Sequence, residues 1–461
     1  MGLPAEVLDG LRAAVGDANV RTSPGELAVY SRDATPLFQH HPDAVVFPAS
    51  ADEVAAVLRL ATAHGVPVVP RGAGSNLCAA TVPLAGGIVL ALTRMNRILE
   101  ISRDEMLARV EPGVTTAELA EAAAAHGLMY APDPGSRVTA TVGGNVATCA
   151  GGLRGLKYGV TRNYVLGTQA VLPTGEIIRT GGRLWKDVAG YDLTRLLTGS
   201  EGTLAVLTEL IVALLPAPAA SRTGVAYFPS LADAGRAVSA VIAAGVMPAT
   251  LEFLDHRCIS AVEEFAQLGL RLDAGALLLL GDDGDPDVVE RNVARMADAC
   301  LAAGAIEVTT ARDVAESEAL LAARRCSLPA LSRLGSLTIL EDATVPRPRV
   351  AEMVDRIERI AERHGVTIAT FGHAGDGNLH PTCVLPSAED VDAVHRAEQA
   401  LADVFAAALE LGGTITGEHG VGAAKLPYLQ DLLGAEQMAL LRRIKAAFDP
   451  AGILNPGKLG S

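Results

Sequence analysis

Short apolar runs alternate with helix-periodic stretches along the first half of the chain. AVVFP (44–48), VPVVP (66–70), GIVLAL (87–92) and LARVEPG (107–113) read as strands. ADEVAAVLRLATAHG (51–65) and TTAELAEAAAAHG (115–127) repeat apolar residues at helical spacing between and after them. LLPAPAAS (214–221) has neither period and marks a boundary. Beyond it come GVAYF, the helical LADAGRAVSAVIAAG, ATLEFLD, another helix, and GALLLLGDDG (275–284), a buried strand that runs into an acidic turn. That order predicts an antiparallel sheet with helices on one face. AEQMALLRRIKAAFDP (435–450) is a helix stopped at Asp-Pro, followed by an extended tail. The expected class is α+β, in parts spanning 1–215, 220–415 and 416–461.

FGHAGDGNLH (371–380) lies between two β-rich apolar runs, so its glycines predict a tight hairpin turn. His373 and His380 then flank the turn on neighbouring strands. The pair reads either as a hairpin that happens to carry histidines or as half of a metal site. At 417–422 the chain reads GEHGVG. Two histidines with one carboxylate, Glu418, make the usual protein share of a catalytic divalent-metal site, and His419 is left as an acid/base group.

Composition narrows the function classes. At 461 residues with 49% hydrophobic content, two or three domains are expected. A formal charge of −15 with no basic stripe argues against nucleic-acid binding. The cysteines at 78, 149, 258, 300, 326 and 383 show no CxxC pair, which predicts buried reduced thiols and excludes a closed structural zinc site. The N-terminus is an acidic amphipathic helix without the marks of a signal peptide, and no run is long enough to span a membrane. A cytoplasmic protein is expected.

Three glycine-rich segments carry the strongest signal. VVPRGAGSNL (68–77) follows a strand, but Leu77 stands where a nicotinamide-type fingerprint needs its third glycine. DPGSRVTATVGGNVATCAGGLRGLKYG (133–159) packs seven glycines with Ser136, Thr139, Thr141, Asn145 and Thr148. LLTGSEGTLAVLTEL (196–210) repeats the pattern. Close backbone approach to a polyphosphate explains so many small and hydroxyl residues, and several such loops suit a dinucleotide such as FAD.

PRGAGSNL, DPGSRVTATVGGNVATCAGG and GSEGTLAVLTE resemble the FAD-binding domain of the vanillyl-alcohol oxidase superfamily. GHAGDGNLH, GEHGVG and terminal NPGK resemble its branch of FAD-linked D-lactate dehydrogenases, glycolate oxidase D subunits and D-2-hydroxyglutarate dehydrogenases. The resemblance implies a two-part PCMH-type FAD domain with a cap domain, and a C-terminal segment returning to the FAD domain. It implies FAD contacts from Pro70, Arg71, Gly72, Ala73, Gly74, Ser75 and Asn76 in the first loop. The second loop would supply Pro134, Gly135, Ser136, Thr139, Gly143, Gly144, Asn145, Ala147, Thr148 and Gly151. Glu201, Gly202 and Asn455 complete the set. Many relatives attach flavin to a histidine of the first loop; Ser75-Asn76-Leu77 here implies non-covalent FAD.

By motif, His373, His380 and Glu418 match the branch's metal ligands, with Zn²⁺ expected first and Mn²⁺ or Fe²⁺ also suited to the donors. His419 matches its base, Asn378 a polar residue at the substrate, and Arg324 a carboxylate-binding arginine, ahead of Arg325. Outside that context, Arg324 reads as a solvated helix residue. Leu340 stands where 2-hydroxyglutarate-specific members carry lysine, which favours D-lactate or glycolate as the small 2-hydroxy acid. Alternatives are D-2-hydroxyglutarate, or an electron-passing flavin subunit of a multi-subunit glycolate oxidase. The acceptor stays open among electron-transfer flavoprotein, quinone and an iron–sulfur subunit, as does the oligomeric state, a homodimer included. Asp376 reads either as orienting a histidine or as capping its turn, Lys458 as a solvated tail residue, and Trp185 as core.

Overall fold

The computed structural model describes residues 2–460. The chain forms two compact units, one of residues 1–150, 160–216 and 418–461, the other of 151–159 and 217–417.

In the first unit, strands Val68–Arg71 and Ala44–Val46 run parallel to Ile88–Ala91 between them, and Val20–Arg21 adds antiparallel at the edge. The central strands read as continuous apolar runs because both faces are covered. Helix Ala51–His64 starts at Ser50, whose side chain accepts from the Glu53 N–H, and buries Val54, Val57, Leu58 and Ala61 along one stripe. This stripe meets Val7 and Leu11 of helix Ala5–Val15, as well as Ile88, Leu90 and the tail residues Ile453 and Leu454. A second, antiparallel sheet orders Ile98–Ser102, Leu107–Val110, Val206–Ala213, Val165–Val171 and Ile177–Gly181. The three glycine-rich segments emerge around these sheets.

The second unit is an eight-stranded antiparallel sheet. Its centre runs Ala276–Gly284, Thr250–Asp255, Ile368–His373, Asn378–Leu385. Leu251, Phe253, Leu278, Leu280, Leu379, Cys383 and Leu385 share one core with helices Leu231–Ala243, Pro286–Ala302, Val350–His364 and Val391–Glu410. Side chains alternate across a strand, so Glu252, Phe371, His373, Asn378 and His380 stand on the opposite face. That face carries the chemistry.

Two expectations change here. The acidic pair expected in a turn continues the strand Ala276–Gly284, and Asp282 and Asp283 are buried. Their partners are Lys157, whose Nζ donates to an oxygen of each at 2.7 Å, Tyr158, and Asn292. Lys157 and Tyr158 belong to 151–159, which the glycine pattern had assigned to the first domain. A charge cluster withdrawn from water needs all its members, and it holds this segment on the second unit. Among the described residues, no helix is long and apolar enough to cross a membrane.

Candidate active site

The hairpin forms as read, with Phe371 opposite His380 and His373 opposite Asn378. This register sets the two histidines diagonally on one face, their rings 5.1 Å apart and nearly perpendicular. Asp376 lies in the turn, where its carboxylate accepts the Asn378 N–H at 3.3 Å.

Each histidine has a buried acid beside it. His373 Nδ1 lies 2.7 Å from Glu252 Oε1, and the other oxygen of Glu252 accepts from Arg324 Nε at 2.8 Å. Arg324 closes helix Val314–Arg325 and lies over the Phe371 ring at 4.6 Å, so it is buried rather than solvated. Arg325 turns instead toward Glu318 at 3.5 Å. His380 Nδ1 stands 3.8 Å from Asp342, a fully buried carboxylate. Asp342 accepts from Asn378 Nδ2, from Thr416 Oγ1 at 2.7 Å and from the Gly417 N–H at 2.8 Å. Asn378 Nδ2 also donates to Thr344 Oγ1 at 3.0 Å, which leaves its carbonyl oxygen for a ligand. Sequence reasoning missed Glu252 and Asp342. The available signal was an acid inside each of the apolar strings ATLEFLD and TILEDATVP.

Asp342 therefore pins the chain at Gly417, and Glu418 and His419 follow as the next two residues, one 3.8 Å Cα step each. His419 Nε2 lies 3.9 Å from Glu418 Oε1. Within the first unit the far end of this loop is gripped by Glu201, which accepts the N–H groups of Val421 at 2.6 Å and Gly422 at 2.7 Å. Burial pushes the Glu201 carboxyl up, against the pull of those two N–H groups and of Lys458 and Lys425. Its side chain is spent on the loop rather than turned to a ligand.

The glycine segments converge in the first unit. A Cβ on Gly72 would fall 2.3 Å from Thr141 Oγ1, so glycine is what lets the first loop meet the second. The Gly199 and Glu201 N–H groups donate to Val146 and Ala147 carbonyls at 2.9 and 2.8 Å, which seats the third segment on the second. Asn455 Nδ2 donates to the carbonyls of Ala80 at 3.0 Å and Glu201 at 2.8 Å, tying the tail to both. Arg71, Asn76 and Asn145 likewise spend their side chains inside the cradle, on Arg32, on Thr81 with Ala80, and on Thr116. Gly135, Ser136 and Thr139 are exposed, and space around Gly135 is open. The Tyr130 hydroxyl, buried just before this loop, has no hydrogen-bond partner. A cradle of glycine backbone with one buried donor to satisfy fits a large polar ligand such as FAD.

Lys458 is fully buried, contrary to the solvated tail residue expected. Its Nζ donates to the Val82 carbonyl at 2.9 Å and to Asn455 Oδ1 at 3.0 Å, which fixes the orientation of that amide. Burial pulls its pKa from 10.5 down to about 8. Between these values the unfolded chain holds a proton that the folded chain has released, so this group makes stability rise with pH. Wild type should gain about 2 kcal/mol over Lys458→Met between pH 8 and pH 10, read from urea midpoints. Trp185 is also no core residue: it is 54% exposed, its Nε1 donating to the Glu105 carbonyl at 3.3 Å.

Comparison with known proteins agrees with this architecture. Residues 42–181 match an FAD-binding domain, and 217–459 match the C-terminal domain of FAD-linked oxidases. The chain is 50% identical over 454 residues to glycolate oxidase subunit GlcD of Bacillus subtilis, covering 98% of this chain and 96% of that protein. It is 36% identical over 458 residues to a D-lactate dehydrogenase of Anaerostipes hadrus, covering 97% and 94%. Among solved structures, p-cresol methylhydroxylase superposes with a TM-score of 0.84 at 19% identity, over 99% of this chain and 96% of that one, which shows a shared fold. The chain belongs to the FAD-linked oxidases, as an oxidoreductase built on the FAD-binding fold it shares with p-cresol methylhydroxylase.

Proposed function

We propose that this enzyme oxidises a small D-2-hydroxy acid, D-lactate or glycolate, to the 2-oxo acid, with non-covalent FAD and a divalent metal. The observation that carries the reading is the shared carboxylate of Glu252, which sets the Arg324 guanidinium beside the His373 imidazole. Relatives named glycolate oxidase subunit and D-lactate dehydrogenase support it.

His373, His380 and Glu418 would hold the metal, a donor set that suits Zn²⁺ and also accepts Mn²⁺ or Fe²⁺. When bound, the cation supplies Lewis acidity at the substrate hydroxyl, and FAD supplies the hydride acceptor. Arg324, with Nε engaged by Glu252, offers its two terminal nitrogens to the substrate carboxylate. This contact fixes which face of C2 is presented for oxidation. Asn378 adds its carbonyl oxygen as an acceptor, and His419 takes the hydroxyl proton as general base. Leu340 is buried and apolar, so it offers nothing to a second carboxylate. Electrons then leave to a separate acceptor, an electron-transfer flavoprotein, a quinone or an iron–sulfur subunit.

Steady-state rates with D-lactate, glycolate and D-2-hydroxyglutarate test the substrate class. A one-carboxylate acid should win by at least about tenfold in kcat/KM, the value of roughly 1.4 kcal/mol. Preference for the dicarboxylate would overturn the choice.

A further inference from the structure

We propose that Glu252 is the positioning residue that couples substrate recognition to metal binding, an inference that rests on the function proposed above. Glu252 lies within strand Thr250–Asp255 and is 1% exposed, with Leu251 and Phe253 turned into the core on either side. A carboxylate so deep is tolerated only when both oxygens are paired. Its partners are His373 at 2.7 Å and Arg324 at 2.8 Å, one on each oxygen.

Two consequences follow from a group that only accepts. Neutral His373 must carry its proton on Nδ1, which makes Nε2 the nitrogen that carries the lone pair a cation would need. Arg324 must direct Nε inward and keep its plane on Phe371, which leaves its terminal edge for an anion. The two recognition groups thus share one carboxyl anchor on a rigid sheet, so the spacing between anion and cation sites is short and fixed. A 2-hydroxy acid carries its hydroxyl on the atom next to its carboxylate and matches that spacing. A 3-hydroxy acid, one carbon longer, does not.

Glutamine at 252 can accept from only one of these donors, and its N–H would draw the His373 proton to the wrong nitrogen. With FAD-loaded protein, Glu252→Gln should bind Zn²⁺ about 10- to 100-fold more weakly by competition with a chromophoric chelator. It should also raise KM for D-lactate about tenfold and narrow the preference for 2-hydroxy- over 3-hydroxybutyrate. Glu252→Asp, which keeps the charge, should recover part of each. Should Glu252→Gln fail to fold, the pair Arg324→Met and Glu252→Gln/Arg324→Met decides, since the double variant carries no buried charge at this anchor. The double variant should still bind Zn²⁺ about tenfold more weakly than the single. Unchanged Zn²⁺ affinity and KM in a folded Glu252→Gln protein, or equal affinity in that pair, would overturn the coupling. Failure of the wild type to bind Zn²⁺ or oxidise any 2-hydroxy acid would instead overturn the function on which it rests.

Discussion

Alanine at His380 should cost about 10³-fold in kcat/KM for D-lactate and remove bound metal. His380 is buried, tilted against Phe371 at 5.4 Å, and shares its face with His373. On the proposed ligand set, removing one of three donors would release the cation, and Lewis-acid help to a hydroxyl is worth several kcal/mol. About 4 kcal/mol corresponds to the thousandfold loss. Loss of the buried ring also lowers stability, so activity alone does not separate the two effects. Metal content by elemental analysis does: the variant should retain FAD while losing the metal. A folded, FAD-loaded His380→Ala protein with full metal content and turnover would refute the ligand assignment.

The second large effect is expected at Gly422. Its φ is +50°, and a Cβ there would stand 1.9 Å from the Cys78 carbonyl oxygen and 2.7 Å from its carbon. The left-handed conformation alone costs alanine about 1 kcal/mol. The backbone contact is worse because the Cys78 carbonyl cannot retreat without losing the N–H groups of Ala423 at 3.0 Å and Ala424 at 3.1 Å. Gly422→Ala should therefore cost about 3 kcal/mol or more, and should displace the loop that begins with Glu418 and His419. Gly65→Ala is the control. Gly65 caps helix Ala51–His64 at φ +61° and ψ +30°, and no atom lies within 4 Å of a Cβ there, so about 1 kcal/mol is expected. Turnover should fall at least about 100-fold in the first variant and stay near wild type in the second. Equal stability and turnover in the two would show that the loop is not held as described.

Local signals were legible: the hairpin at 371–380, the helix stop at Asp449, and the glycine segments are set by neighbours in the chain. His373 and His380 were recognisable as a pair, and the period of a strand places them on one face once Phe371 pairs with His380. Glu252 was not legible, because its partners lie 72 and 121 residues away and nothing local distinguishes it from a surface acid. The same holds for Lys157, whose partners lie 125 and 126 residues on, and for Lys458, 376 residues from the carbonyl it bonds. Charged groups of this kind are buried only because distant partners compensate them, and single-sequence patterning records burial but not pairing. Arg324 shows the limit: its helix position reads as solvated until Glu252 and Phe371 are placed against it.

Anaerobic mixing of FAD-loaded, metal-replete protein with D-lactate or glycolate, followed at the flavin absorbance band, tests the proposed chemistry most directly. The band should bleach, bleaching should stop after a chelator has removed the metal, and added Zn²⁺ should restore it. A band that no 2-hydroxy acid bleaches, or bleaching that persists after verified metal removal, would contradict the account.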